Sequence, residues 1–116
     1  MDTVQILKDA RALIADEKNW IQGYYSCDAD HAYVLPDTPE AFCFCALGAI
    51  LKVSGLSVAL PIPDPLVSVL INDEGMFDCA EHEGEAKIAY FNDHKDHNEV
   101  LGLFDRAIAR AESEAA

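Results

Sequence analysis

The stretch TPEAFCFCALGAILKVSG, Thr38 to Gly55, sets the reading of the whole chain. Thr38 followed by Pro39 reads as a helix cap and first helical residue, because proline's missing donor costs nothing there and its φ is already helical. From that start the spacing predicts a helix over residues 39–54 that stops at Gly55. Phe42, Cys43, Phe44, Cys45, Ala46, Leu47, Ala49, Ile50, Leu51 and Val53 leave only Glu40, Lys52 and Ser54 as strongly polar positions. A helix that is apolar nearly all round belongs at the centre of a core. Gly48 costs such a helix about 1 kcal/mol relative to alanine, so its expected use is to let another backbone come close.

Toward the N-terminus, Ile6, Leu7, Ala10, Leu13 and Ile14 form one helical stripe, and Asp2 with Gln5 can make a capping box at its start. Between Trp20 and Pro36 the helical period disappears. Tyr24, Tyr25, Tyr33 and Val34 flank a polar centre there, the pattern of a small β-hairpin at 22–35 or an ordered loop. Pro61, Pro63 and Pro65 interrupt the next stretch, after which Asp64 as cap opens a short helix through Leu66, Val67, Val69, Leu70 and Ile71, with Gly75 as its stop. A fourth helix spans about Glu85 to Phe91. A fifth begins with the capping box Asp96 and Glu99 and buries Val100, Leu101, Leu103, Phe104, Ala107, Ile108 and Ala111. The expected fold is all-α: a compact bundle of about five helices around the buried helix 39–54, in a single domain over 1–116.

Twenty-one acidic against eight basic residues give a net charge of −13. Such a field repels phosphate backbones and anionic membrane surfaces, so direct nucleic-acid or membrane binding is not expected and a basic protein surface is the natural partner. The charge concentrates in residues 63–99, and Asp73, Glu74, Asp78, Glu81, Glu83 and Glu85 are the candidate acidic interaction face. No apolar run is long enough to span a membrane, and acids early in the chain do not suit an export signal, so a cytoplasmic location is expected. In a reducing compartment the four cysteines, Cys27, Cys43, Cys45 and Cys79, should be free thiols.

Motifs for common chemistries are missing. Cys79-x-x-His82, Cys43-x-Cys45 and the pair His94 and His97 lack the second tight pair that structural zinc needs, so no metal is expected. No phosphate loop, dinucleotide glycine pattern or nucleophile elbow is present, and no cofactor is expected. A cysteine hydrolase would draw on Cys43 or Cys45 near a helix start, with Asn92, Asp93, His94 and His97 later in the chain. The apolar neighbours of those thiols argue against an activated nucleophile. Asn92-Asp93 suits a helix end and turn, and Trp20-x-x-Gly23 suits an aromatic closing the first helix before a turn glycine.

The segments ILKDARALI, Trp20-x-x-Gly23, CALGAI from Cys45 to Ile50, Asn92-Asp93 and EVLGLFDRAI from Glu99 to Ile108 together resemble an uncharacterised family of small bacterial and phage proteins. The resemblance runs along nearly the whole chain, with His31 standing where relatives tend to carry a turn glycine. It implies a fold and a set of positions, and no activity. Trp20, Cys45, Asn92 and Asp93 form the candidate pocket. The expected function is a small acidic interaction or accessory protein, and the resemblance implies a phage link. The alternatives are a small hydrolase or transferase using Cys45, Asn92 and Asp93, and a DNA-mimicking inhibitor of a nucleic-acid-binding protein.

Overall fold

A computed structural model describes residues 2–56, 62–79 and 81–115. Five α-helices are present among them: α1 (Thr3–Leu13), α2 (Ala46–Ser54), α3 (Asp64–Ile71), α4 (Glu85–His94) and α5 (His97–Ala115). Two short 3-10 turns, Glu17–Asn19 and Glu74–Cys79, join them, and two-residue strands β1 (Ser26–Cys27) and β2 (Cys43–Phe44) form a small antiparallel sheet. Helix α1 packs against both α2 and α5, α4 packs on α2, and α3 lies along α5. Every residue of α2 from Ala46 to Leu51 is buried, so the helix is central as its composition requires.

The central helix starts later than expected, at Ala46 instead of Pro39. Thr38 does not cap it. The Thr38 hydroxyl donates back to the Leu35 carbonyl at 2.9 Å, and the Ala41 amide donates to the Thr38 carbonyl at 3.2 Å, which makes a turn. The Phe42 amide then donates to the Cys27 carbonyl at 2.7 Å, and β2 runs antiparallel to β1 with Cys43 opposite Cys27 and Phe44 opposite Ser26. On its other side the Phe44 carbonyl accepts from the Ile21 amide at 3.1 Å. A strand paired on both edges and buried on both faces carries the same unbroken apolar run as a buried helix, which is why the periodicity merged the two. The helix end is as expected: Gly55 caps it with φ 73°, and its amide donates to the Leu51 carbonyl.

The extended excursion at 22–35 folds back on itself as a small hairpin, and its strand β1 also pairs with β2. Its internal pairing is a single antiparallel bridge between Cys27 and Tyr33. The Asp28 carboxylate accepts the Asp30 and Ala32 amides, both at 2.9 Å, and holds the intervening loop. At its tip His31 adopts φ 66°, a conformation that glycine takes without the strain a side chain adds.

The remaining ends follow local chemistry. Asp2 accepts the Gln5 amide at 2.7 Å, but the Gln5 side chain turns forward to Asp9, so only half of that capping box forms. At α5 both halves form, with Glu99 N to Asp96 at 2.8 Å and Asp96 N to Glu99 at 3.4 Å. Pro63 precedes α3 and Pro65 sits in its first turn. That helix ends at Asn72, and Gly75 lies within the following 3-10 turn instead of stopping it. Pro61 lies outside the described residues.

Gly48 is where α2 and the 22–35 excursion meet. A Cβ on Gly48 would stand 1.8 Å from the Tyr25 carbonyl oxygen, which itself accepts the Cys45 amide at 3.1 Å. Helix propensity alone would make Gly48→Ala stabilising by about 1 kcal/mol. The clash is with backbone and has no flexible side chain to absorb it, so Gly48→Ala is expected to destabilise by about 2–3 kcal/mol, as overpacking does. Urea titration of the two proteins measures the sign directly.

Candidate functional site

Asn92 and Asp93 end α4, and the fold closes around them. The Asn92 side chain is fully buried and uses all of its hydrogen-bonding capacity. Its Oδ1 accepts the Trp20 indole N–H at 2.7 Å and the Ala46 amide at 3.0 Å. Its Nδ2 donates to the Ile21 carbonyl at 3.0 Å and to Asp93 Oδ1 at 3.2 Å. The same Asp93 oxygen accepts the Gly23 amide at 2.8 Å, and Gln22 Nε2 donates to the carbonyls of Asn92 and Lys95. Trp20 in turn packs its ring against His97, with centroids 5.4 Å apart, and His97 Nε2 donates to the Ile14 carbonyl at 2.7 Å.

Cys45 is the residue before α2, and its Sγ accepts the Gly48 amide at 3.3 Å. A helix N-terminus ordinarily favours a thiolate. Here burial pushes the thiol up to about 11 despite the amides of Gly48 and Leu47 that face it, and the nearby Asp93 carboxylate adds to the rise. Desolvation outweighs the helix end, so the sulfur serves as a neutral cap. Cys43 is likewise pushed up to about 11, first by burial and then by its neighbour Cys27.

Trp20, Cys45, Asn92 and Asp93 are therefore brought together, with different roles. Trp20 and Asn92 form the support. Cys45 and Asp93 reach a cleft of about 180 Å³ whose other lining residues are Gly23, Tyr24, Tyr25, Tyr33 and Ala89. In the sequence the three tyrosines carry the signal of strand formers; the further signal of a site is that large aromatic residues cluster in a segment with no helical stripe to bury them.

The six acidic residues do not form one face. The Asp73 side chain is completely buried and is held by Arg106 Nε and Arg110 Nη1, both at 2.8 Å. The reason lies in α5, where positions 106 and 110 are four apart and so share a helix face. Asp78 pairs with Lys95 at 2.6 Å, and Glu85 accepts the Ile62 amide at 3.3 Å. Glu74, Glu81 and Glu83 remain exposed. The histidines are also dispersed: Tyr90 stacks between His82 and His94, at 4.4 and 3.9 Å. Among the described residues no three metal-binding side chains gather at one point, and no helix is long and apolar enough to cross a membrane.

Residues 1–110 match the family of unknown function DUF6197, and the chain belongs to that family. No curated protein and no solved structure matches it.

Two measurements test this geometry. Cys45, about 5% exposed and with its thiol raised to about 11, should react slowly with a thiol reagent in the folded protein and rapidly in denaturant, as mass spectrometry of labelled peptides would show. Fast native labelling at neutral pH would contradict the buried cap. For Asp73, burial raises the carboxyl, but the hydrogen bonds from Arg106, Arg110 and the Gly75 amide outweigh it and leave it below the usual carboxylate range. A depressed native value means that the stabilisation is complete above about pH 4, the unfolded value, and disappears as pH falls through the native one. Asp73→Asn should therefore lower stability at pH 7 by roughly 1.5–3 kcal/mol and flatten the acid limb of stability against pH.

Proposed function

We propose that this DUF6197 protein is an interaction or accessory protein that docks a partner at the tyrosine-bordered cleft. One observation carries the reading. Tyr24, Tyr25, Tyr33, Leu35 and Phe42 are the large apolar side chains left exposed among the described residues, and all five lie in the segment that borders or adjoins the cleft. Three of the five, Tyr24, Tyr25 and Tyr33, line the cleft itself; clustered exposed apolar side chains mark contact sites, and tyrosine is among the residues that dominate binding energy in such sites.

The chemistry of the site supports docking over hydrolysis or group transfer. Cys45 is a raised, buried thiol whose described hydrogen bond is to the Gly48 amide, and His97 is engaged by the Ile14 carbonyl. A nucleophile needs a base within reach and a populated thiolate. The cleft, at about 180 Å³, is also below the roughly 300–1,000 Å³ of usual small-molecule sites. For the acidic-face and DNA-mimic readings, the internal pairing of Asp73 and Asp78 removes part of the charge that they require. A cytoplasmic setting, where thiols stay reduced, fits four buried cysteines.

Affinity capture from cell lysate with two variants separates the readings. Tyr24→Ser with Tyr33→Ser should lose the wild-type partner, weakening binding about 30-fold or more, as truncated hot-spot residues do, with an unchanged circular-dichroism spectrum. Glu74→Gln, Glu81→Gln and Glu83→Gln together should alter mainly its salt dependence. The opposite pattern, with capture abolished by the glutamine variant, intact in the tyrosine variant and displaced by duplex DNA, would overturn the proposal in favour of a DNA mimic.

A further inference from the structure

We infer that the occupant of the cleft is the cationic end of a lysine or arginine side chain presented by a basic partner protein, packed against the tyrosine rings with its charge on Asp93. This rests on the docking reading above and specifies what docks.

The argument begins with Asp93. The Gly23 amide and Asn92 Nδ2 both donate to its Oδ1, which fixes the carboxylate in the cleft wall. Among the described residues no lysine, arginine or histidine forms an ion pair with it, although Lys95 lies two positions away, because Lys95 is taken by Asp78 at 2.6 Å. Among the described residues no basic one lines the cleft. Three tyrosines share the lining with Gly23, Cys45 and Ala89: Tyr24 and Tyr33 pack on each other with ring centroids 6.0 Å apart and planes tilted by 47°, and Tyr25 is the third. Burial, followed by the proximity of Cys45, Glu85 and Tyr33, raises the Tyr25 phenol above its ordinary value, so it is a neutral phenol at pH 7; the face of such a ring attracts a cation through its quadrupole.

Three classes of occupant can be compared. An anion would meet the Asp93 carboxylate and the field of a chain with net charge −13, with no described cation in the lining to offset them. A neutral apolar side chain would cover the tyrosines well, but it would strip water from Asp93 and give it nothing in return, and an unpaired carboxylate taken out of water is costly. A lysine or arginine satisfies both halves of the site: its methylene stem lies along apolar ring surface and its charged head meets the carboxylate and the ring faces. Size agrees. At roughly 30 Å³ per water, the cleft holds about six waters, the scale of one long side chain and too little for a nucleotide.

The test uses the whole protein and short blocked peptides with one central lysine, arginine or Nε-acetyl-lysine. Binding is read from the Gly23 amide resonance, which reports on Asp93, and from Trp20 fluorescence. The lysine and arginine peptides should shift Gly23 in a saturable, salt-sensitive way, and acetylation, which removes the charge and keeps the length, should weaken binding about tenfold or more. Asp93→Asn, which can still accept the Gly23 amide, should cause a similar loss for the cationic peptides and little for the acetylated one. Tyr33→Leu, which keeps apolar volume and removes the ring face, should weaken the cationic peptides selectively. Equal or tighter binding of the acetylated peptide, or full binding by Asp93→Asn, would overturn the cation assignment and leave the docking site standing. If no peptide, charged or neutral, perturbs Gly23 up to tens of millimolar, both the assignment and the docking reading fail.

Discussion

The amide of Asn92 joins three separate pieces of chain. It receives the indole of Trp20 and the first amide of α2, and it donates to the carbonyl of Ile21 and to Asp93. Each bond in such a buried network contributes only about 1 kcal/mol net, but leaving a partner unsatisfied costs about 1–3 kcal/mol per group. Asparagine suits the position because it alone combines two acceptor sites with two donors at this length; aspartate has no donors and leucine has neither. With α4, α2 and the Trp20–Gly23 turn tied to one side chain, the excursion that carries the tyrosines is anchored at both ends of its first part. The cleft exists because this tie holds its floor and one wall in place.

The approach of Tyr25 to Gly48 is the second constraint and works with the first. The Tyr25 carbonyl accepts the Cys45 amide and lies where a side chain on Gly48 would be. That contact brings the excursion down onto the N-terminal turn of α2, so the cleft is floored by Cys45 and not by solvent. The same closeness explains why Cys45 is a poor nucleophile in a position that would otherwise favour one. The amides of the helix start are available to its sulfur, but excluding water costs the thiolate more than those donors return.

The acidic surplus is distributed by a similar competition. Asp73 was drawn inward because two arginines one turn apart on α5 could satisfy both of its oxygens, and Arg110 also donates to the Val69 carbonyl, linking α5 to the end of α3. Asp78 is used by Lys95 beside the loop between α4 and α5. Part of what a charge count treats as a uniform face is thus structural. Asp93 is different: the donors to its carboxylate are neutral amides, which orient the charge without cancelling it.

Sequence by itself determined the elements whose signals are local. The stripes of α1 and α5, the double capping box at Asp96 and Glu99, the proline-marked start of α3 and the glycine end of α2 are written in residues three or four apart, and local sterics and hydrogen bonding decide them. The convergence of Trp20, Cys45, Asn92 and Asp93 was legible only as a set of positions, without the division into support and lining. Tertiary structure alone decided where α2 begins, because residues 39–45 are apolar enough for helix or strand and only the edges offered by Cys27 and Ile21 select the strand. It decided that Asp73 is buried, since its arginines lie more than thirty residues away. It also decided that the three tyrosines of the 22–35 excursion share one cleft with Asp93 at the end of α4, because a contact between distant segments depends on where the whole core places them, and no local pattern encodes that.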